Sequence, residues 1–202
     1  MTQATTAHVQ TGRPHGGTGV SNVKLGIWVF LSSEALFFGA FISTYLLYRG
    51  RDTVGPLPDD VFDIPFTSVT SFILLMSSMT MVLALGAIQR GDDRRFRIWI
   101  GATALFGLTF IAGQVYEFTS FYREGLSLGS NLFSSSFYTL TGIHGAHVTI
   151  GIVWLLTLAG RSAQGRLSQE QSESVEVAGL YWHFVDVVWI VLFTVIYLVP
   201  RH

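Results

Sequence analysis

The sequence contains no cysteine, and only 12% of its 202 residues are Asp, Glu, Lys or Arg. The first absence excludes disulfide staples, thiolate metal sites and cysteine nucleophiles. The second is a shortage, since a soluble domain carries about a quarter charged residues. Charge is what a water-facing surface is made of. The net charge of −1 gives no basic excess, so a nucleic-acid partner is not expected. What the chain has instead is apolar residues, at 50%, and a mean hydropathy of +0.47.

Those residues are gathered rather than dispersed. A bilayer core about 30 Å thick needs about 20 apolar residues in a helix. Five stretches satisfy that length, at about 25–48, 66–88, 98–117, 132–160 and 177–199. None shows a clean amphipathic stripe, as lipid solvation requires. The expected fold class is therefore all-α, a polytopic bundle of five transmembrane helices. Residues 1–24 read as a polar tail with no apolar run, so no cleavable signal peptide is expected there. Residues 25–202 read as a single membrane domain. Turn residues and charges fill the gaps, including the folded loop expected over 49–65 and the short arginine-rich link carrying Arg90, Arg94, Arg95 and Arg97.

Lys and Arg set the expected orientation. With the N-terminus inside, the inner side holds Arg13, Lys24, the four arginines of the short link, Arg161 and Arg166. The outer side holds Arg49, Arg51, Arg123 and Arg201. The excess places the N-terminus inside and the C-terminus outside. No internal repeat or pair of glycine-broken half-helices marks an inverted-repeat transporter.

Within the spans lie Glu34, Glu117, His144, His147, His183 and Asp186. Each costs about 2.5–3.5 kcal/mol at a bilayer centre unless it finds a partner, so each is a candidate site residue. His144 and His147 share a helix face at a spacing of three, as do His183 and Asp186. Three readings compete: a metal site of His and carboxylate on several helices, a proton path, and structural pairing between helices. Depth weighs against the first. At about 1.5 Å per residue, Glu34 and Asp186 lie about 14 Å from one boundary, His144 about 18 Å from the other, and Glu117 at a segment end. A metal centre needs its ligands around one point. A channel would need a continuous polar face on at least two helices. The second segment offers only Thr67, Ser68, Thr70, Ser71, Ser77, Ser78 and Thr80, which read as close-packing contacts.

Four blocks carry a resemblance: Ser33-Glu-Ala-Leu-Phe-Phe38, Gln114-Val-Tyr-Glu-Phe118, Thr141-Gly-Ile-His-Gly-Ala-His-Val-Thr-Ile-Gly151 and Tyr181-Trp-His-Phe-Val-Asp-Val-Val-Trp189. In order and spacing they resemble subunit III of the haem–copper terminal oxidases, in the short five-helix form common in bacteria. The resemblance implies a non-catalytic subunit of a proton-pumping oxidase in the bacterial plasma membrane, with cytochrome c favoured as donor and quinol as the alternative. A freestanding di-metal membrane oxygenase is the more distant alternative. The resemblance further implies no catalytic residue, metal or redox cofactor in this chain, with haem and copper held by partner subunits I and II. It implies direct packing on subunit I, a small subunit IV over the exposed face, bound phospholipid, support of proton uptake and protection during turnover. Glu34 matches the family's carbodiimide-sensitive glutamate, and Glu34, His147 and Arg161 match positions near lipid. Glu117, His144, His183 and Asp186 match motif positions, with structural pairing as their implied role.

Overall fold

The computed structural model describes residues 21–48, 63–123, 125–126, 128–129, 132–167 and 169–199. The loop expected over 49–65 falls mostly outside them, as does nearly all of the polar tail. Five helices are long and apolar enough to cross a membrane: α1 (Asn22–Tyr48), α2 (Ile64–Gln89), α3 (Asp93–Arg123), α4 (Leu132–Ala163) and α5 (Ser172–Phe193). A short 3-10 turn, Gln169–Gln171, precedes α5, and a π-helical turn, Thr194–Leu198, extends it. No strand occurs among the described residues. Over the described residues the chain is an all-helical bundle with five helices long and apolar enough to span a membrane.

Local chemistry sets the helix ends. Pro65 lies in the first turn of α2, where a missing N–H is harmless. Asp63 caps that turn by accepting from the Phe66 N–H at 3.1 Å. Asp92 does the same for α3, accepting from the Arg95 N–H at 3.0 Å. The turn between them is tight because Gly91 adopts φ +73°, which lets the Asp92 N–H return to the Ala87 carbonyl at 3.0 Å. Gly165 (φ +67°) closes α4 in the same way.

The packing order is not the chain order. α2 and α3 form the most extensive pair, α3 continues onto α4, and α5 packs against both α2 and α4. α1 is attached from outside, on α4 and α5. Burial follows: 50% of the apolar window of α5 is buried, against 17% for α1. α5 is thus the central helix and α1 the peripheral one.

Hydrophobic exclusion does not drive helices together in lipid, so close approach and interhelical hydrogen bonds must. Trp182 of α5 supplies both. A Cβ on Gly107 of α3 would lie 2.7 Å from Trp182 Cη2, and one on Gly151 of α4 would lie 2.8 Å from its ring. The indole fills a slot that two missing side chains create. Its Nε1–H donates to Ser77 Oγ of α2 at 2.9 Å. Two turns along α5, Trp189 Nε1–H donates to Ser71 Oγ at 2.8 Å. Thr80 and Thr103 join α2 to α3 at 2.8 Å. Ser77 and Ser71 of α2 therefore do more than permit close packing; they are the acceptors for the two indoles of α5.

Candidate functional site

The six ionisable residues sort into junctions between particular helices. Glu34 Oε2 of α1 meets His147 Nε2 of α4 at 3.2 Å. Their side chains remain 18% and 17% exposed, so the pair sits at the seam rather than in the core. The other nitrogen, Nδ1, lies 2.8 Å from the Ile143 carbonyl. A carbonyl only accepts, so Nδ1 carries a hydrogen. Phe38 packs edge-on against the imidazole at 5.1 Å. The Tyr181 hydroxyl donates to the His147 carbonyl at 3.0 Å, which ties α5 to the same turn of α4.

His144 shares a helix face with His147 in sequence but serves a different junction. It is fully buried, stacks on Trp189 at 4.9 Å and meets Phe110 edge-on at 5.8 Å. Its Nε2 donates to the Val185 carbonyl at 3.3 Å. Its Nδ1 has no hydrogen-bond partner among the described residues.

His183 and Asp186 come together through a residue that sequence reading assigned only to packing. Ser78 of α2 bonds to Asp186 Oδ2, and its oxygen lies 2.9 Å from His183 Nδ1. With its single proton given to the carboxylate, Ser78 accepts from His183. Asp186 is buried, and its Oδ1 has no partner among the described residues.

Glu117 lies inside α3, which continues six residues beyond it, and is buried. It bonds to Thr67 of α2. One turn earlier on the same face, Gln114 Nε2–H donates to the Thr141 carbonyl of α4 at 2.8 Å. The pair Gln114 and Glu117 thus fastens α3 to both neighbours. Arg161 is exposed in the last turn of α4, and Arg97 of α3 reaches the nearby Ser162 carbonyl at 3.4 Å.

The motif blocks are therefore helix junctions. Among the described residues, no three His, Asp or Glu side chains converge as a metal ion would need. Sequence reading found the ionisable halves of these contacts and gave Thr67, Ser71, Ser77 and Ser78 a packing role, without their hydrogen bonds across helices. The available signal was a hydroxyl run on a helix otherwise free of charge, facing a helix that carries Asp, His and two tryptophans.

Comparison with known proteins agrees with the motif blocks. Residues 9–200 match the family model for cytochrome c oxidase subunit III. A cytochrome c oxidase subunit 3 from Bacillus sp. strain PS3 is 39% identical over 177 residues, covering 88% of this chain and 86% of the relative. A quinol oxidase subunit 3 from Bacillus spizizenii is 38% identical over 181 residues, covering 90% and 88%. A cytochrome c oxidase subunit 3 from a Synechocystis species is 41% identical over 191 residues, covering 93% and 80%.

Proposed function

The chain belongs to the cytochrome c oxidase subunit III family, and from that premise we propose that it is the non-catalytic third subunit of a proton-translocating, cytochrome c-consuming oxidase. In this reading it packs on subunit I, alongside subunit II and a small fourth subunit. Haem and copper reside in subunits I and II. The complex lies in a bacterial plasma membrane with the N-terminus of this chain inside. The chain supplies phospholipid contacts and supports proton uptake into the catalytic subunit.

The observation that carries the supporting role is the disposition of the ionisable residues. They are spent on holding helices to one another through named partners, and among the described residues Glu34 and His147 meet across two helices with partial access at the bundle surface. A pair there can exchange a proton or meet a lipid without being part of a reaction centre. Arg161, exposed at the end of α4, offers its guanidinium to a phosphate.

The purified complex tests the donor directly. Oxygen consumption with reduced cytochrome c is expected; turnover with quinol alone would assign the chain to a quinol oxidase instead. Substitution tests the support role. Glu34→Gln is expected to leave the haem spectrum and initial oxygen reduction near wild type. Arg161→Ala is expected to lower the phospholipid retained on the complex and to shorten its active lifetime during turnover. Retained lipid equal to wild type, measured by mass spectrometry, would remove Arg161 from the lipid contacts.

A further inference from the structure

Two polar atoms deep in the bundle have no hydrogen-bond partner among the described residues: Asp186 Oδ1 of α5 and His144 Nδ1 of α4. Both side chains are more than nine-tenths buried, Asp186 at 3% exposure and His144 at 0%. In each group the other polar atom is held. Ser78 of α2 bonds to Asp186 Oδ2, and His144 Nε2 donates to the Val185 carbonyl at 3.3 Å. That donation puts the imidazole hydrogen on Nε2, so Nδ1 presents a lone pair and needs a donor. Oδ1 accepts as a carboxylate and donates as an acid. Water does both, so it partners Oδ1 in either state.

The two atoms belong to one level of the bundle. The carbonyl that His144 reaches is that of the residue immediately before Asp186. The imidazole also stacks on Trp189, one turn beyond Asp186, with ring centroids 4.9 Å apart. His144 and Asp186 therefore flank the same turn of α5. The surrounding groups have no donor to spare. The indole N–H groups of Trp182 and Trp189 are committed to Ser77 and Ser71, and the Ser78 hydroxyl is committed to Oδ2. Phe110 of α3 closes the place with an apolar edge against both His144 and Trp189, at 5.8 and 4.7 Å. Lipid tails carry no donor, and they do not reach a residue that is fully buried.

We infer that one internal water molecule is bound at this turn, donating to His144 Nδ1 and bonding to Asp186 Oδ1. Immobilising one water costs less than leaving two buried polar atoms unsatisfied. Buried waters in proteins are held by such otherwise-unpaired groups. A metal ion fits less well, because it would draw more ligands around one point than one carboxylate and one imidazole supply. The water extends the Ser78–Asp186 junction as far as α4. His183, Ser78, Asp186, the water and His144 then form one polar unit that joins α2, α4 and α5 in the middle of the apolar core. The inference concerns the interior of the chain and holds whichever electron donor the oxidase uses.

The intact oxidase complex supplies the first test, in a density map fine enough to show ordered water. A peak within hydrogen-bond distance of both Asp186 Oδ1 and His144 Nδ1 is expected. No peak there, or a direct contact between the two side chains, would overturn the assignment. Radiolytic labelling gives a second reading in solution, since hydroxyl radicals made from an interior water oxidise the side chains packed against it. Trp189, 2% exposed, is expected to be oxidised in the wild-type complex on a short X-ray pulse, as mapped by mass spectrometry. Combining Asp186→Leu with His144→Phe removes both atoms that hold the water. That variant is expected to lower Trp189 oxidation about tenfold at equal radical dose, the shift in occupancy from losing both hydrogen bonds. Equal oxidation in the two proteins, or none in the wild type, would overturn the assignment. Haem content and subunit stoichiometry identify a variant that fails to assemble, in which case the density map decides alone.

Discussion

Replacing Trp182 with alanine is expected to destabilise the bundle by about 3 kcal/mol and to reduce the amount of this chain recovered on the purified complex. The figure is the lower end for deleting a buried Trp side chain, because in lipid the loss is of packing rather than of water exclusion. The indole is 1% exposed and lies against α3 at Gly107 and α4 at Gly151. Its removal opens one cavity between three helices. It also leaves the Ser77 hydroxyl without the N–H it accepts at 2.9 Å. Trp182→Phe separates these effects: it keeps much of the volume and loses the hydrogen bond, so about 1 kcal/mol is expected. Gly107→Leu approaches the same contact from the other side. A Cβ alone would lie 2.7 Å from the ring, so the larger side chain must displace the indole or part the helices. Thermal unfolding of the complex, followed by loss of this chain on gels, measures all three. A Trp182→Ala complex with unchanged melting temperature and stoichiometry would mean that the slot contributes nothing to holding α5.

Trp182 also shows where the sequence was legible and where it was not. That residues 177–199 cross a membrane follows from hydropathy, which sums over a whole segment and needs no knowledge of neighbours. That Trp182 belongs between two particular glycines does not, because Gly107 and Gly151 are distant in the chain and nothing local pairs them. The same division runs through the ionisable residues. Glu34, Glu117, His144, His147, His183 and Asp186 stood out because charge is costly in hydrocarbon. Their spacing correctly put His183 near Asp186, since residues three apart share a helix face. It put His144 beside His147 for the same reason, yet these two point to different partners, α5 for one and α1 for the other. Face sharing fixes direction only to within a wide arc. The neutral partners were harder still: a serine in a membrane helix costs little, so Ser78 carried no energetic flag. The reading of such hydroxyls as packing contacts missed half of the Asp186 junction.

That junction supports the second large effect. Ser78→Ala is expected to destabilise the α2–α5 contact by about 1–3 kcal/mol, the cost of leaving a buried polar group unsatisfied. Asp186 Oδ1 has no partner among the described residues, so Ser78 provides the hydrogen bond recorded for this carboxyl group. The alanine variant buries a carboxyl without it, in a site 3% exposed. The more telling variant is the double one. Combining Ser78→Ala with Asp186→Leu removes the hydroxyl and replaces the carboxyl with an apolar group of similar shape, so that the partly exposed His183 Nδ1 alone loses its partner, as it already does in Ser78→Ala. Such replacements are close to neutral, whereas breaking one side of a buried contact is not. The double variant is therefore expected to be more stable than Ser78→Ala alone, although it carries an additional substitution at a motif position. Unfolding of the intact complex in denaturing detergent gives the coupling from the four corners of the cycle. If the two substitutions simply add, Asp186 and Ser78 are independent and the carboxyl is held by something else. If the double variant recovers stability but loses proton uptake or shortens the active lifetime, the buried acid is kept for function at the expense of the fold.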